Sequence, residues 1–167
     1  MFLCFFLASL MIRTGYELLK KAGKVNPESK ILFAVILTDM IILWTSWFGM
    51  CPLDPLVIVL PEFVRIVGLA LVLIGLALAI GALVQLGGVE NIDHLVTAGL
   101  FALTRHPMYI GFILWIIGWS MYHAAGASLI AGCVGIVNIL FWRHLEEEKL
   151  SANYGETYKQ YQTKTSF

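Results

Sequence analysis

The chain has 167 residues, 59% of them hydrophobic and 13% charged, with a formal net charge of zero and a mean hydropathy of +0.83. A water-soluble domain carries about 25% charged residues, so a solvated shell cannot be built from this composition and most of the surface must face lipid. The length suits a single domain, and the balanced charge argues against nucleic acid as a partner.

Met1–Ile12 is apolar but lacks a basic leading region and a small-residue cleavage site, so it reads as a retained membrane segment. A bilayer-spanning helix needs about 20 largely apolar residues. The sequence therefore predicts an all-α, polytopic membrane domain over 1–167 with about five transmembrane helices, near 2–19, 31–50, 62–84, 108–123 and 126–143. The first three occupy 1–84. A long polar connection, 85–107, separates them from a tight helical hairpin, 108–143, whose turn is His123–Gly126. Gly68, Gly75, Ala77 and Gly81, and later Ala127, Ala131 and Gly135, are spaced to let helix backbones approach in lipid. Within the spans Arg13 and Asp39 are expected to pair with each other, the alternative being Arg13 with Glu17 one turn away. Asn138 is expected to hydrogen-bond between helices. Cys4, Cys51 and Cys133 lack the spacing of a metal or redox pair and read as small apolar residues.

Basic residues fix an expected orientation. Lys20, Lys21, Lys24 and Lys30 follow the first segment, Arg105 precedes the fourth, and Arg143, Lys149, Lys159 and Lys164 follow the fifth. Five crossings place all of these on one side, which the positive-inside rule makes the cytoplasm, with the N-terminus outside and the C-terminus inside.

Past Trp142 the chain turns polar. Leu150, Tyr154, Tyr158 and Tyr161 form one helical stripe interrupted by Gly155. The segment 144–167 is thus expected to continue the last span, break, and fold back against the 85–107 connection.

Three clusters could do chemistry, of which one, Asp93-His94-Leu95-Val96 followed by Gly99-Leu100-Phe101, reads by itself as a loop. Arg105-His106-Pro107-Met108-Tyr109 places Arg105 and His106 at a helix N-terminus, because Pro107 suits the first helical turn; such an end binds anions, though interfacial anchoring would use the same residues. Arg143 shares a helix face with Glu146 and Glu147 at spacings of three and four. Three consecutive acids, Glu146 to Glu148, run against the positive-inside bias, although a solvated helix with surface ion pairs is the plainer reading.

Taken together, Leu95-Val96-Thr97-Ala98-Gly99-Leu100-Phe101, Arg105-His106-Pro107-Met108-Tyr109-Ile110-Gly111, Arg143, Glu146-Glu147, Leu150 and Tyr154-Gly155-Glu156-Thr157-Tyr158 resemble the isoprenylcysteine carboxyl methyltransferase family and its bacterial and archaeal relatives, over roughly residues 85–161. The resemblance implies an S-adenosylmethionine pocket near the cytoplasmic face, with 85–107 as a cofactor loop and the C-terminal segment closing it. It implies cofactor contacts at Leu95, Val96, Phe101, His106, Tyr109, Glu146 and Glu147, catalytic or substrate arginines at Arg143 and Arg105, and a family histidine position held by Asp93 or His94. No metal is implied.

The residue chemistry is compatible with methyl transfer. Arg105 and His106 suit the cofactor carboxylate, Glu146 or Glu147 its ammonium or ribose. Phe101, Tyr109, Trp142 and Tyr154 could cover adenine or face the sulfonium, where cation–π attraction adds about 0.5–2 kcal/mol. Arg143 could hold an attacking carboxylate bidentately. The expected acceptor is a lipophilic or prenylated molecule entering from the bilayer, such as an isoprenylcysteine carboxylate, with a phospholipid amine or a thiol as alternatives. A membrane reductase using NADPH and a non-catalytic assembly subunit are the readings from other classes.

Overall fold

The computed structural model describes residues 1–26, 29–87 and 95–167; Asp93 and His94 lie outside the described residues. Among the described residues six helices follow in chain order: α1 (Phe2–Lys21), α2 (Lys30–Met50, continued by a 3-10 turn at Cys51–Leu53), α3 (Glu62–Leu86), the single turn α4 (Leu100–Leu103), α5 (Pro107–His123) and α6 (Gly126–Lys164). Four of them, α1, α2, α3 and α6, are long and apolar enough to cross a membrane. The fifth expected span, α5, has 17 residues, at the short end of what spans a bilayer. It nevertheless runs antiparallel along α3 as a fifth pass of the bundle, with Gly111 beside Gly75 at one end and Gly118 beside Gly68 at the other.

Small residues make that contact possible. A Cβ built on Gly68 would sit 2.6 Å from the Gly118 carbonyl oxygen, and one on Gly75 2.6 Å from that of Gly111. Reciprocal glycines let two backbones touch, which is how helices gain dispersion energy where lipid is as apolar as the side chains. The glycine spacing read as packing in the sequence is therefore packing in the fold.

The outward faces carry Phe5, Ile31, Val35, Phe63, Ile66, Leu73, Ile80, Ile130 and Val137, all exposed. α5 contributes none of the exposed large hydrophobics; Phe112, Trp115 and Ile116 are buried. It forms the middle of the bundle, where Trp115 meets Trp44 at a ring separation of 4.6 Å and Phe48 at 5.9 Å. Across α1 and α2, Phe6 packs on Trp47. Between α1 and α6 a polar thread runs from Trp142 Nε1 to Thr14 Oγ1 and from Thr14 Oγ1 to Asn138 Oδ1, each 2.9 Å, so Asn138 does bridge helices. Trp142 is 1% exposed; it belongs to this core and not to the aromatic cover of a cofactor.

The charged pair inside the bundle is the intrahelical one. Arg13 Nη1 lies 2.5 Å from Glu17 Oε1, so the ion pair expected between Arg13 and Asp39 is replaced by one on α1 itself. Two carboxylates competed for the same guanidinium, and the one a helical turn away on the same face reaches it without bridging to another helix.

The end of the bundle away from the lysines is stapled by polar contacts to helix termini. Asp54 accepts from the backbone N–H groups of Leu56 (2.8 Å), Ala127 (3.3 Å) and Ser128 (2.5 Å), capping α6 from a neighbouring loop. Arg65 donates to the Tyr122 carbonyl at the C-terminus of α5, where a cation suits the dipole. At the other end α6 continues well past the bundle. From Gly126 to Tyr154 it is roughly 43 Å long at 1.5 Å per residue, against an apolar bilayer core of about 30 Å. Gly155 then breaks it with φ 51° and ψ −123°, a conformation that glycine adopts without strain. The break turns the last helical stretch back over the bundle end.

Candidate active site

The returning C-terminal stretch is fixed at several points. Tyr161 Oη donates to the Phe101 carbonyl at 2.5 Å. The backbone N–H of Arg105 lies within bonding distance of the carbonyls of Ser166 (3.2 Å) and Phe167 (3.1 Å), and Arg105 Nη1 donates to the Thr165 carbonyl at 2.6 Å. The C-terminal segment therefore packs on the turn before α5, as its tyrosine stripe predicted.

Beneath it lies a cavity of about 500 Å³, within the usual range of roughly 300–1,000 Å³ for small-molecule and cofactor sites. Among the described residues its walls come from α1, the end of α3, the segment before α5, α5 itself and α6. The 85–107 region supplies Leu95, Val96, Phe101 and Arg105; α5 supplies Tyr109; α6 supplies Glu146, Tyr154, Tyr158 and Tyr161; α1 supplies Arg13, Glu17, Lys20 and Lys21. Apolar and aromatic surface with a few charged groups suits an amphiphilic ligand.

Glu146 and Glu147 are neighbours in sequence with different surroundings, because successive helical residues point about 100° apart. Glu146 faces the cavity, with 45% of its side chain accessible. Tyr109 lines the cavity with it, and His106 Nδ1 lies 3.6 Å from its Oε2. Its surroundings push the carboxyl pKa up by desolvation, but His106, Tyr109 and Lys20 outweigh that, and it stays below the ordinary carboxylate value. Glu146 is thus an anion at the cavity wall.

Glu147 points instead to the Arg-His-Pro turn. Its Oε1 accepts from Arg105 Nε at 2.8 Å and from His106 Nε2 at 2.7 Å, and its Oε2 accepts from Gln162 Nε2 at 2.6 Å. Desolvation acts against its charge, yet the bonds from Arg105, His106 and Gln162 hold the carboxyl down to about 2. The anion that Arg105 and His106 receive is Glu147, held through their side chains. His106 is 4% exposed. With its two ring nitrogens turned to Glu147 and Glu146, it stacks on Tyr109, ring centroids 5.5 Å apart.

The predicted site residues thus divide. Leu95, Val96, Phe101, Arg105, Tyr109 and Glu146 come together around the cavity. His106 and Glu147 stand directly behind that wall and tie Arg105, Tyr109 and Glu146 into one array. Arg143 is not brought to the cavity wall: its guanidinium lies over the Phe167 ring, 4.4 Å from the centroid. The α1 side of the cavity was absent from the sequence reading. Its signal was present, since Arg13, Glu17, Lys20 and Lys21 recur at spacings of four and three on one helical face at the basic end of a span.

Comparison with known proteins places the chain. The family model described as phospholipid methyltransferase matches residues 63–157, more than half the chain and all of the helices from α3 to the Gly155 break. The protein-S-isoprenylcysteine O-methyltransferase of Schizosaccharomyces pombe is 33% identical over 82 residues, which is 45% of this chain and 33% of that protein; the match thus spans about a third of the yeast relative. A probable protein-S-isoprenylcysteine O-methyltransferase of Oryza sativa subsp. indica is 27% identical over 179 residues, 95% of this chain and 91% of the rice protein. A methanethiol S-methyltransferase from a Pseudomonas species is 36% identical over 63 residues, 38% of this chain and 24% of that protein. No solved structure matches the chain. The chain belongs to the phospholipid methyltransferase family, and the relatives named here are methyltransferases.

Proposed function

We propose that the chain is a membrane methyltransferase that uses S-adenosylmethionine to methylate the carboxylate of a lipophilic, isoprenylcysteine-like acceptor at the cytoplasmic face. The observation that carries this reading is the cavity of about 500 Å³ in which Phe101, Tyr109 and Glu146, from three separate sequence motifs, share one wall. The position of that cavity supports the orientation: nine of the eleven Lys and Arg residues, from Lys20 to Lys30, at Arg105 and from Arg143 to Lys164, gather at its end of the bundle.

The donor set fits the cofactor. Leu95, Val96 and Phe101 offer an apolar seat for a purine, Glu146 an anion for an ammonium or sulfonium, and Tyr109 and Tyr154 aromatic faces for positive charge. When bound, S-adenosylmethionine supplies an electrophilic methyl group: an acceptor carboxylate oxygen bonds to the carbon as the carbon–sulfur bond breaks, the electron pair stays on sulfur, and no proton moves. The chain's own work is then alignment and the exclusion of water. Tyr109 and His106 orient Glu146. Glu147 holds Arg105 and the C-terminal stretch in place, so that Tyr158 and Tyr161 roof the cavity. The apolar outer faces of the helices leave a long-chain acceptor in the bilayer until its polar end reaches this rim.

The test is transfer of a labelled methyl group from S-adenosylmethionine to N-acetyl-S-farnesylcysteine by detergent-purified protein. A base-labile methyl ester is the expected product. A second reading, methylation of a small thiol, is favoured by the likeness to the Pseudomonas methanethiol S-methyltransferase; labelling of an alkanethiol with none of the farnesylcysteine would select it.

A further inference from the structure

The connection between α2 and α3 is apolar where a water-facing loop would be polar. Over 51–61, Asp54 is the one charged residue, and it is turned inward, where its carboxylate accepts from the backbone N–H groups at the start of α6. The surface that remains is hydrocarbon. Leu53 is 71% exposed, Val57 71% and Val59 100%, and Phe63 in the first turn of α3 is 68% exposed. An exposed apolar patch rimmed by polar groups marks an interaction surface.

The segment is held in this posture by its own backbone. Ile58 N donates to the Ala124 carbonyl at 2.9 Å and Gly126 N to the Leu56 carbonyl at 2.8 Å, and Val57 pairs with Ala125 in an antiparallel bridge. Successive side chains of an extended chain point to opposite sides. Ile58 packs on Gly126, so Val57 and Val59 are directed away from the protein.

The helices set the level of the patch. From Gly126 to Glu146, α6 rises roughly 30 Å at 1.5 Å per residue, about the thickness of a bilayer's apolar core. With Glu146 at one boundary, Gly126 and the stretch bonded to it stand at the other. The neighbouring end of α5 agrees: Trp119 stacks with Tyr122 at 5.5 Å and meets His123 at 4.3 Å, and the Arg65 guanidinium lies 5.9 Å from the Tyr122 ring. Such rings and cations gather at the headgroup level. The backbone fits that level too. Pro52, Pro55 and Pro61 have no N–H to satisfy, and lipid-exposed irregular chain is tolerated where water and headgroups complete its hydrogen bonds, not in hydrocarbon.

We propose that the segment 53–63 is an interfacial anchor whose partner is the lipid leaflet away from the cavity, with Leu53, Val57, Val59 and Phe63 entering the boundary between headgroups and acyl chains. Continuity selects lipid over a second copy of the chain: the apolar surface runs from Phe63 onto Ile66, 61% exposed, and Val67, 47% exposed, on the face that α3 turns to the bilayer. The anchor fixes how deep the bundle sits. It brackets the bundle against the lysine-rich end and so keeps the cavity at the opposite interface, whatever cofactor or acceptor that cavity takes.

The experiment places an environment-sensitive fluorophore on single thiols in protein carrying Cys4→Ser and Cys133→Ser, which removes the two exposed cysteines and leaves the buried Cys51. The labelled variants are Val57→Cys, Val59→Cys and, on the α1–α2 connection, Lys24→Cys, each required to show the thermal transition of its parent. They are read in phosphatidylcholine nanodiscs holding one copy and in vesicles crowded with copies. Aqueous iodide and phosphatidylcholines doxyl-labelled at carbon 5 or carbon 12 serve as quenchers. An apolar group at the interface lies about 5–10 Å into the headgroup–acyl boundary. The labels at 57 and 59 are therefore expected to be quenched by iodide at least about fivefold less than the label at 24, and more by the carbon-5 than by the carbon-12 doxyl lipid, in nanodiscs and vesicles alike. Iodide quenching at 59 equal to that at 24 would show a loop in water and overturn the proposal. Stronger quenching by the carbon-12 lipid would bury the segment in hydrocarbon and overturn it as well. Shielding from iodide and doxyl lipid together in vesicles, lost in single-copy nanodiscs, would assign the patch to a second copy and overturn it.

Discussion

Arg105 Nε lies 2.8 Å from Glu147 Oε1 although the two residues are 42 positions apart in sequence. The contact joins the turn before α5 to the extension of α6 beyond the bundle, and Gln162 extends it to the returning C-terminal stretch. Glu147 is therefore the point where three segments around the cavity are fastened to one another. Arg105 and Glu147 are 11% and 16% accessible, so removing one partner leaves the other charged, poorly hydrated and unmatched.

Glu147→Ala is accordingly expected to lower stability by about 2–3 kcal/mol, in the range for charge-assisted bonds, and to weaken S-adenosylmethionine binding by loosening the roof over the cavity. Thermal unfolding followed by tryptophan fluorescence in detergent measures the first effect. Protease susceptibility of the 156–164 stretch measures the second. A variant with an unchanged melting temperature and an uncut C-terminus would show that the contact fastens nothing.

The same latch sets a pH dependence. The Glu147 carboxyl is held down to about 2, from an ordinary 4.5. A depressed carboxyl contributes stability that is complete above the ordinary value and is lost as pH falls through the folded one. The latch is thus predicted to be intact at pH 6, to weaken below about pH 4.5 and to be released near pH 2. Hydrogen exchange of amides in 156–164 should accelerate over that window in the unsubstituted protein, and should be fast and far less pH-sensitive, beyond the intrinsic exchange rate, in Glu147→Ala.

Gly155 has open space around it, with no heavy atom within 4 Å of a built Cβ. Any effect of Gly155→Ala must therefore come from its backbone angles. Their strain for a residue with a side chain is about 1–3 kcal/mol. The expected phenotype is a C-terminal stretch that disengages while α1 to α5 stay assembled, seen as proteolysis after 155 with an unchanged tryptophan spectrum.

Gly75 tests the bundle itself. A Cβ there meets the Gly111 carbonyl oxygen at 2.6 Å and the Trp115 N at 3.1 Å, both backbone atoms that cannot swing aside. Gly75→Ala should force α3 and α5 apart and lower stability by about 1–3 kcal/mol. In Gly15→Ala the added methyl would have no neighbour within 4 Å, so that variant is the control expected to melt as the unsubstituted protein does.

Much of the fold was legible because hydrophobic runs report span length directly. The spans expected at 31–50, 62–84 and 108–123 are the helices Lys30–Met50, Glu62–Leu86 and Pro107–His123, and Gly155 breaks the last helix where its tyrosine stripe is interrupted. The cavity was legible where residues lie close in sequence, as with Phe101 and Tyr109. It was less legible where rotation or long-range pairing decides. Glu146 and Glu147 separate because of a 100° helical step, and a pair of adjacent acids does not announce which one faces inward. Arg143 shares a nominal face with the acids, yet the returning chain places Phe167 beneath its guanidinium. The contribution of α1 was hidden because Arg13–Glu17 and Glu17–Lys20 look, in sequence, like ordinary intrahelical ion pairs; their meaning depends on the cavity that a segment more than a hundred residues later closes over them.

The most direct test of the account is calorimetric titration of the detergent-purified protein with S-adenosylmethionine, alongside Glu146→Gln and an NADPH control. Binding near one to one with a micromolar Kd is expected, with a loss of at least tenfold in affinity in Glu146→Gln and no heat from NADPH. Binding of NADPH instead, or of neither molecule by protein whose tryptophan spectrum and thermal transition show it to be folded, would contradict the claim that this cavity is a methyl-donor site.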